Sequence, residues 1–146
     1  MKKTAQGFTI LELLIVIAII GVLALIPMIT LVGAPKKTRD ARRQSDLKQY
    51  QNAIEIYAAK NNSYPTQAAT INAITLCGGS APLGAIPCVD DPNTARHYRY
   101  NSSANQYVLW AQLESFNPAQ YFVVCSSGKV GNTPTNPNPS GGACPI

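Results

Sequence analysis

Between Phe8 and Ala34 every residue is apolar or small except Thr9, Glu12 and Thr30. From Leu13 to Pro35 the run is 23 residues long and carries no charge. Coiled as a helix at about 1.5 Å per residue, it is long enough to cross a hydrocarbon core of about 30 Å. A charged side chain at the centre of such a span costs about 2.5–3.5 kcal/mol, and less near an edge. Glu12, close to the start of the run, therefore needs a partner or a purpose. Pro27 removes one backbone hydrogen bond and is expected to kink the helix locally. The stub before the run, Met1 to Gly7, is polar and basic. It is too short for a secretory signal peptide, whose apolar region ends in a small-residue cleavage site.

Beyond Pro35 the pattern becomes amphipathic. Leu47, Tyr50, Ile54 and Tyr57 recur at steps of three and four residues and form one apolar stripe. Lys48, Gln51, Asn52 and Glu55 are assigned to the other side. The segment "KNNSYP" closes the helix, because the residue before Pro65 is steered out of the α region. One helix from Phe8 to about Lys60 would be about 80 Å long. Residues 66–93 read as a connection punctuated by Gly and Pro. Three strands follow in "RHYRYN", "QYVLWAQLE" and "QYFVVCS", rich in aromatic and β-branched residues. In the second, Tyr107, Leu109, Ala111 and Leu113 alternate with Gln106, Val108, Trp110 and Gln112, the pattern of a half-buried strand. The tail "GNTPTNPNPSGGACPI" is expected to hold no regular structure and to be pinned back by Cys144. The fold class is α+β: a long amino-terminal helix, with a membrane half and an amphipathic half, packed against a small antiparallel sheet.

The formal net charge is +5, but Lys36, Lys37, Arg39, Arg42, Arg43 and Lys48 supply six of the twelve basic residues. From Asn61 onward Arg96, Arg99 and Lys129 balance Asp90, Asp91 and Glu114. The basicity belongs to the stem and the head is neutral. Cys77, Cys88, Cys125 and Cys144 lack the close pairs of a zinc site, and His97 is distant from them in sequence. Two disulfides in an oxidising compartment explain them better than a metal. Three pairings are possible. Cys77–Cys88 with Cys125–Cys144 is favoured, since each closes a loop bounded by turn residues, and the longer loop would contribute about 3 kcal/mol. No metal or cofactor is expected. Asp90 and Asp91 alone are too few for a calcium site wanting about six to eight oxygens.

The segment "GFTILELLIVIAIIGVLA" resembles the amino-terminal motif of type IV prepilins and of type II secretion pseudopilins. Gly7, Phe8, Thr9 and Glu12 match that motif position for position. The stretch "RDARRQSDLKQYQNAIEIYAAKNNSYP" is similar to the family's helix continuation, and "DDPN" followed by "YRY" resembles its turn and strand. The resemblance implies a pilin-like division into a leader (1–7), a transmembrane and assembly helix (8–35), the amphipathic half of the same helix (36–61) and a disulfide-containing β-rich head (62–146). It implies that prepilin peptidase cuts between Gly7 and Phe8 and N-methylates Phe8, with Lys2 and Lys3 holding the leader in the cytoplasm. It also implies that Glu12 pairs with the Phe8 amine of a neighbouring subunit in a helical homo-oligomeric filament; otherwise Glu12 snorkels to the membrane surface.

On this resemblance the chain is a single-pass membrane protein before assembly and part of an extracellular filament afterwards, working with a pilus or type II secretion machinery. The net charge of +4 from Lys36 to Lys48 runs against the positive-inside tendency, but the cysteines place the head outside. This basic cluster is expected either to meet acidic groups such as Asp46 or Glu55 of neighbours or to face solvent and lipid. Major pseudopilins carry an acidic calcium-binding loop that is not evident here. A loop closed by Cys125–Cys144 resembles that of type IV pilins. A pilus subunit is therefore preferred, with a secretion pseudopilin or a minor pilin of a DNA-uptake filament as alternatives.

An enzyme is not expected. His97 lacks a nucleophile or orienting carboxylate in any recognisable motif, and no nucleophile elbow surrounds Ser126 and Ser127. Tyr98, Arg99 and Tyr100 interleave a base with aromatics, which suits single-stranded nucleic acid. A strand with alternating faces explains the same triplet, so no nucleic-acid partner is expected. Asn61 and Asn101 match the N-glycosylation acceptor pattern.

Overall fold

A computed structural model describes residues 7–30, 33–84 and 88–146. Lys2 and Lys3 of the expected leader lie outside the described residues. The chain divides into two compact units, the first ending at Pro35 and the second running from Lys36 to Ile146.

In the first unit, helix α1 spans Ile10–Thr30. Among the described residues, no helix is long and apolar enough to cross a membrane. Helix α2 spans Ala34–Asn61. Two helices thus stand where a single rod was expected. Gly33 between them has φ of +97°, a conformation outside the α-helical region that glycine adopts without a side-chain clash. Pro35 then falls in the first turn of α2, where its missing N–H costs no hydrogen bond. At the other end Asn62, with φ of 52°, turns the chain out of the helix in the left-handed conformation common just past a helix terminus.

The sheet of the second unit is larger than the sequence suggests. Five antiparallel strands lie in chain order: β1 (Gln67–Asn72), β2 (Arg99–Ser102), β3 (Tyr107–Gln112), β4 (Tyr121–Cys125) and β5 (Val130–Thr133). The three expected strands are β2, β3 and β4. Strand β1 falls in what reads as a connection, and β5 runs into the tail expected to be irregular. Both consist largely of small or polar residues and take their order from pairing with β2 and β4.

Two apolar layers flank the sheet. The inner one joins Tyr98, Tyr100, Tyr107, Leu109, Ala111, Leu113, Phe122 and Val124 to Leu47, Tyr50 and Ile54 of α2. The expected helix stripe is therefore the core contact, with Tyr57 at its margin half-buried. Leu47 and Ile54 are fully buried, which stabilises the unit by about 1.5–3 kcal/mol for each side chain. The outer layer joins Val108, Trp110, Val123 and Cys125 to Tyr121, Cys144 and Ile146. Strand β3 is consequently buried on both faces rather than one, because the tail folds back over the side expected to meet solvent. Cys77 is bonded to Cys88 and Cys125 to Cys144, and the second bond carries that cover.

Candidate functional site

The motif from Gly7 to Glu12 has a definite local geometry. Thr9 immediately precedes α1, and its hydroxyl accepts a hydrogen bond from the Glu12 backbone N–H at 3.3 Å. In return Glu12 Oε2 accepts from the Thr9 backbone N–H at 3.0 Å and from its hydroxyl at 2.8 Å. This reciprocal arrangement is a capping box, which satisfies N–H groups that the first turn of a helix leaves without intrahelical partners. The other carboxylate oxygen, Oε1, makes no hydrogen bond among the described residues. Sequence reasoning gave Glu12 an intersubunit role and passed over this local one. The signal was present, since Thr9 and Glu12 have the threonine-x-x-glutamate spacing ahead of an apolar run.

Large apolar side chains are exposed along α1 from Ile10 to Leu23, and on Phe8 just before it. Phe8 is 80% exposed, Ile10 85%, Val16 46% and Leu23 59%. A helix that is hydrophobic all round is stable in water only when other apolar groups cover it. Its chemistry is therefore association, with lipid or with other helices.

Part of the basic stretch of α2 is used within the chain, while Lys36, Lys37, Arg42 and Lys48 are exposed. Arg43 is fully buried. Its Nε and Nη2 donate to Asp91 at 2.6 Å each, its Nη1 donates to Asp40 at 2.8 Å, and Nη2 also donates to Glu114. Arg39 grips the other oxygen of Glu114 through Nε at 2.9 Å. Asp40 in turn accepts from the backbone N–H groups of Glu114 and Ser115, both at 2.8 Å. The hydrogen bonds from Arg39, with Arg43 behind them, hold the Glu114 carboxyl at about 2 despite its partial burial. Burial alone would raise Asp40, but the bonds from Ser115, Glu114 and Arg43 outweigh it and keep that carboxyl below its ordinary value. An acidic cluster thus does exist in space, with a guanidinium at its centre.

Asp46 and Glu55 are likewise used within the chain. Asp46 accepts from the Tyr98 hydroxyl at 2.6 Å, and Glu55 accepts from Tyr107 at 2.9 Å and Tyr64 at 3.3 Å. Burial raises the Tyr98 and Tyr107 hydroxyls far above their ordinary value, so they remain proton donors. These bonds also answer the aromatic–basic triplet. Tyr98 and Tyr100 are core residues, while Arg99 pairs across the strands with Trp110. His97 does have an orienting carboxylate, Asp90, whose Oδ2 lies 2.7 Å from Nδ1. Asn101 is buried and accepts from the Gly142 N–H at 2.8 Å, so it is closed to glycosylation. Asn61 is exposed at the end of α2.

A family described as the prokaryotic N-terminal methylation motif matches residues 2–26. The chain is 35% identical over 81 residues to type II secretion system core protein G of Aeromonas hydrophila, an alignment covering 56% of this chain and 57% of that protein. It is 35% identical over 80 residues to the protein of that name in Escherichia coli K12, covering 55% of each. Against the type IV wide pilus major component PilA4 of Thermus thermophilus it is 38% identical over 74 residues, covering 51% of this chain and 56% of the relative. It spans about half the length of the curated relatives it matches. No solved structure matches it. The chain thus carries a prepilin-type amino-terminal motif and is homologous, over about half its length, to type II secretion protein G and to a type IV pilin.

Proposed function

We propose that this chain is a structural subunit, without enzymatic activity, that polymerises through its apolar amino-terminal helix into a type IV pilus-like surface filament. The observation that carries this reading is α1 itself, capped at Thr9 and exposing apolar side chains from Phe8 to Leu23. Before assembly the run from Leu13 to Pro35, including residues 31–32 outside the described set, would hold the chain in the cell membrane. Its amino terminus would lie in the cytoplasm, with Lys2 and Lys3 in the leader. Prepilin peptidase would cut between Gly7 and Phe8 and methylate the new amine of Phe8. Glu12 Oε1 would then accept that amine from a neighbouring subunit, a charge pair that fixes register as well as contributing energy.

Similarity to core protein G favours a second reading, a pseudopilin of a type II secretion system. The carboxy-terminal loop closed by Cys125 and Cys144 keeps the pilus first. Mass spectrometry of filaments sheared from cells tests the common ground. The chain should begin at methylated Phe8, and Gly7→Val should leave it uncut and unassembled. Filaments built from chains that still begin at Met1 would overturn the proposal. Deleting the gene separates the two readings, by loss of surface filaments or by loss of secretion with filaments intact.

A further inference from the structure

On the outer face of the sheet, beside the start of β2, a cleft of about 470 Å³ is lined by Arg96, Arg99, Trp110, Gln112, Tyr121 and Asn138 among others. That volume lies within the range of small-molecule sites. No carboxylate lines it. This is notable because Arg39, Arg42 and Arg43 of α2 each have a carboxylate oxygen, at 2.5, 3.7 and 2.8 Å. Among the described residues, Arg96 and Arg99 form no ion pair. Arg99 Nη1 donates to the neutral Asn72 amide at 2.7 Å, and Arg96 Nη1 reaches only the Gln112 carbonyl at 3.5 Å. Two cations with unused donors therefore share a cleft whose remaining wall is amides, hydroxyls, aromatic rings, Ala95, Pro137 and the His97 imidazole, the last already bonded to Asp90 behind it.

We propose that this cleft binds an acidic sugar, a mono- or disaccharide unit bearing a carboxylate or phosphate. Arg96 and Arg99 hold the oxyanion through charge-assisted hydrogen bonds. The Gln112 and Asn138 amides and the Thr70 hydroxyl meet ring hydroxyls, and the half-buried ring of Tyr121 takes the apolar face of the sugar. A nucleobase would have only the Tyr121 ring to stack on, since Trp110 is 3% exposed.

Calorimetric titration of the full-length chain in detergent micelles tests this with glucose 6-phosphate and with digalacturonic acid, two sources of the same chemistry. Both should bind at least about tenfold more tightly than glucose or neutral lactose, the scale of one charge-assisted hydrogen bond. The affinity should fall with added salt. Arg96→Gln with Arg99→Gln should weaken both acids by about a hundredfold while Lys48→Gln leaves them unchanged. If the double variant melts early, Asn138→Ala at the exposed rim replaces it and should weaken binding by several-fold. Equal affinity for acidic and neutral sugars, no detectable acid binding, or tighter binding of a short single-stranded oligonucleotide would each overturn the assignment.

Discussion

Replacing Arg43 with alanine tests the ion network that docks α2 on the head. The wild-type guanidinium is fully buried, and the carboxylates it contacts, Asp40, Asp91 and Glu114, keep 7%, 1% and 8% of their side-chain surface exposed. Removing one partner of such a buried pair costs about 3–5 kcal/mol, because the remaining charges lose both water and counter-charge. In a unit that runs from Lys36 to Ile146 that is a large part of a total stability of roughly 5–15 kcal/mol. Arg43→Lys keeps the charge but not the fork that reaches Asp91 twice, and should cost about 1.5–3 kcal/mol. The assay is urea unfolding of the full chain in micelles, followed by Trp110 fluorescence across pH. The Glu114 carboxyl is held at about 2, below its ordinary 4.5. Its contribution is therefore complete above about pH 4.5 and is lost as pH falls towards 2. In Arg43→Ala, Asp91 loses both guanidinium bonds, while Glu114 keeps Arg39 and Asp40 keeps the N–H groups of Glu114 and Ser115. The Glu114 carboxyl loses one of its two guanidinium partners and should sit nearer its ordinary value, so the variant should lose less stability than the wild type as pH falls from about 4.5 towards 2. An Arg43→Ala protein within about 1 kcal/mol of wild type, or one whose loss of stability over that acid range equals the wild type's, would refute the reasoning.

The capping box separates two roles of Glu12. Glu12→Gln keeps an oxygen for the Thr9 N–H and should preserve the first turn of α1, whereas Glu12→Ala should fray it by about 1 kcal/mol, read as amide exchange at Ile10 to Leu13. Both remove the charge, so both should yield folded, processed protein with few filaments by electron microscopy; normal filament numbers from either would end the intersubunit role. Reducing Cys125–Cys144 should release the tail and raise the accessibility of Trp110 to acrylamide while the circular dichroism of the helices is retained; an unchanged quenching constant would show that the tail needs no staple. Gly142→Ala should have a similar effect, since a Cβ there would lie 2.5 Å from the Gln106 carbonyl oxygen and φ is +79°; unaltered quenching and melting would contradict that packing.

What was legible in the sequence was local. The Gly7–Phe8–Glu12 motif, the stripe from Leu47 to Tyr57 and the strands holding Tyr100, Leu109 and Val123 all declare themselves within a few residues. The short cysteine separations, 11 and 19 residues, made the observed pairing the economical one. The Arg43 network was not legible, because two of its three carboxylate partners lie 48 and 71 residues away and arginine at that position reads as one more stem charge. Strands β1 and β5 carry little hydrophobic periodicity, so only pairing with a finished neighbour orders them. The second buried face of β3 was hidden for a related reason. Val108 and Trp110 alternate correctly for an exposed face, and nothing near them announces a tail arriving from Cys144 and Ile146.

The polar groups of the head and those of the assembly motif are satisfied by different logics. In the second unit, buried carboxylates meet arginines and tyrosine hydroxyls from distant segments, and no buried side-chain polar atom among the described residues lacks a partner. Folding alone completes that buried set. At Glu12 the partners are three residues away, and they occupy one oxygen of the carboxylate. A carboxylate that already accepts two hydrogen bonds is less costly to place in apolar surroundings than a bare one. The cap therefore lowers the cost of carrying this charge on an apolar helix before any neighbour arrives. The oxygen left over still gives a neighbour's amine a reason to bind. On the proposed reading, one local motif makes the subunit tolerable in the membrane alone and more stable in the filament, and the difference between those two states is the drive to assemble.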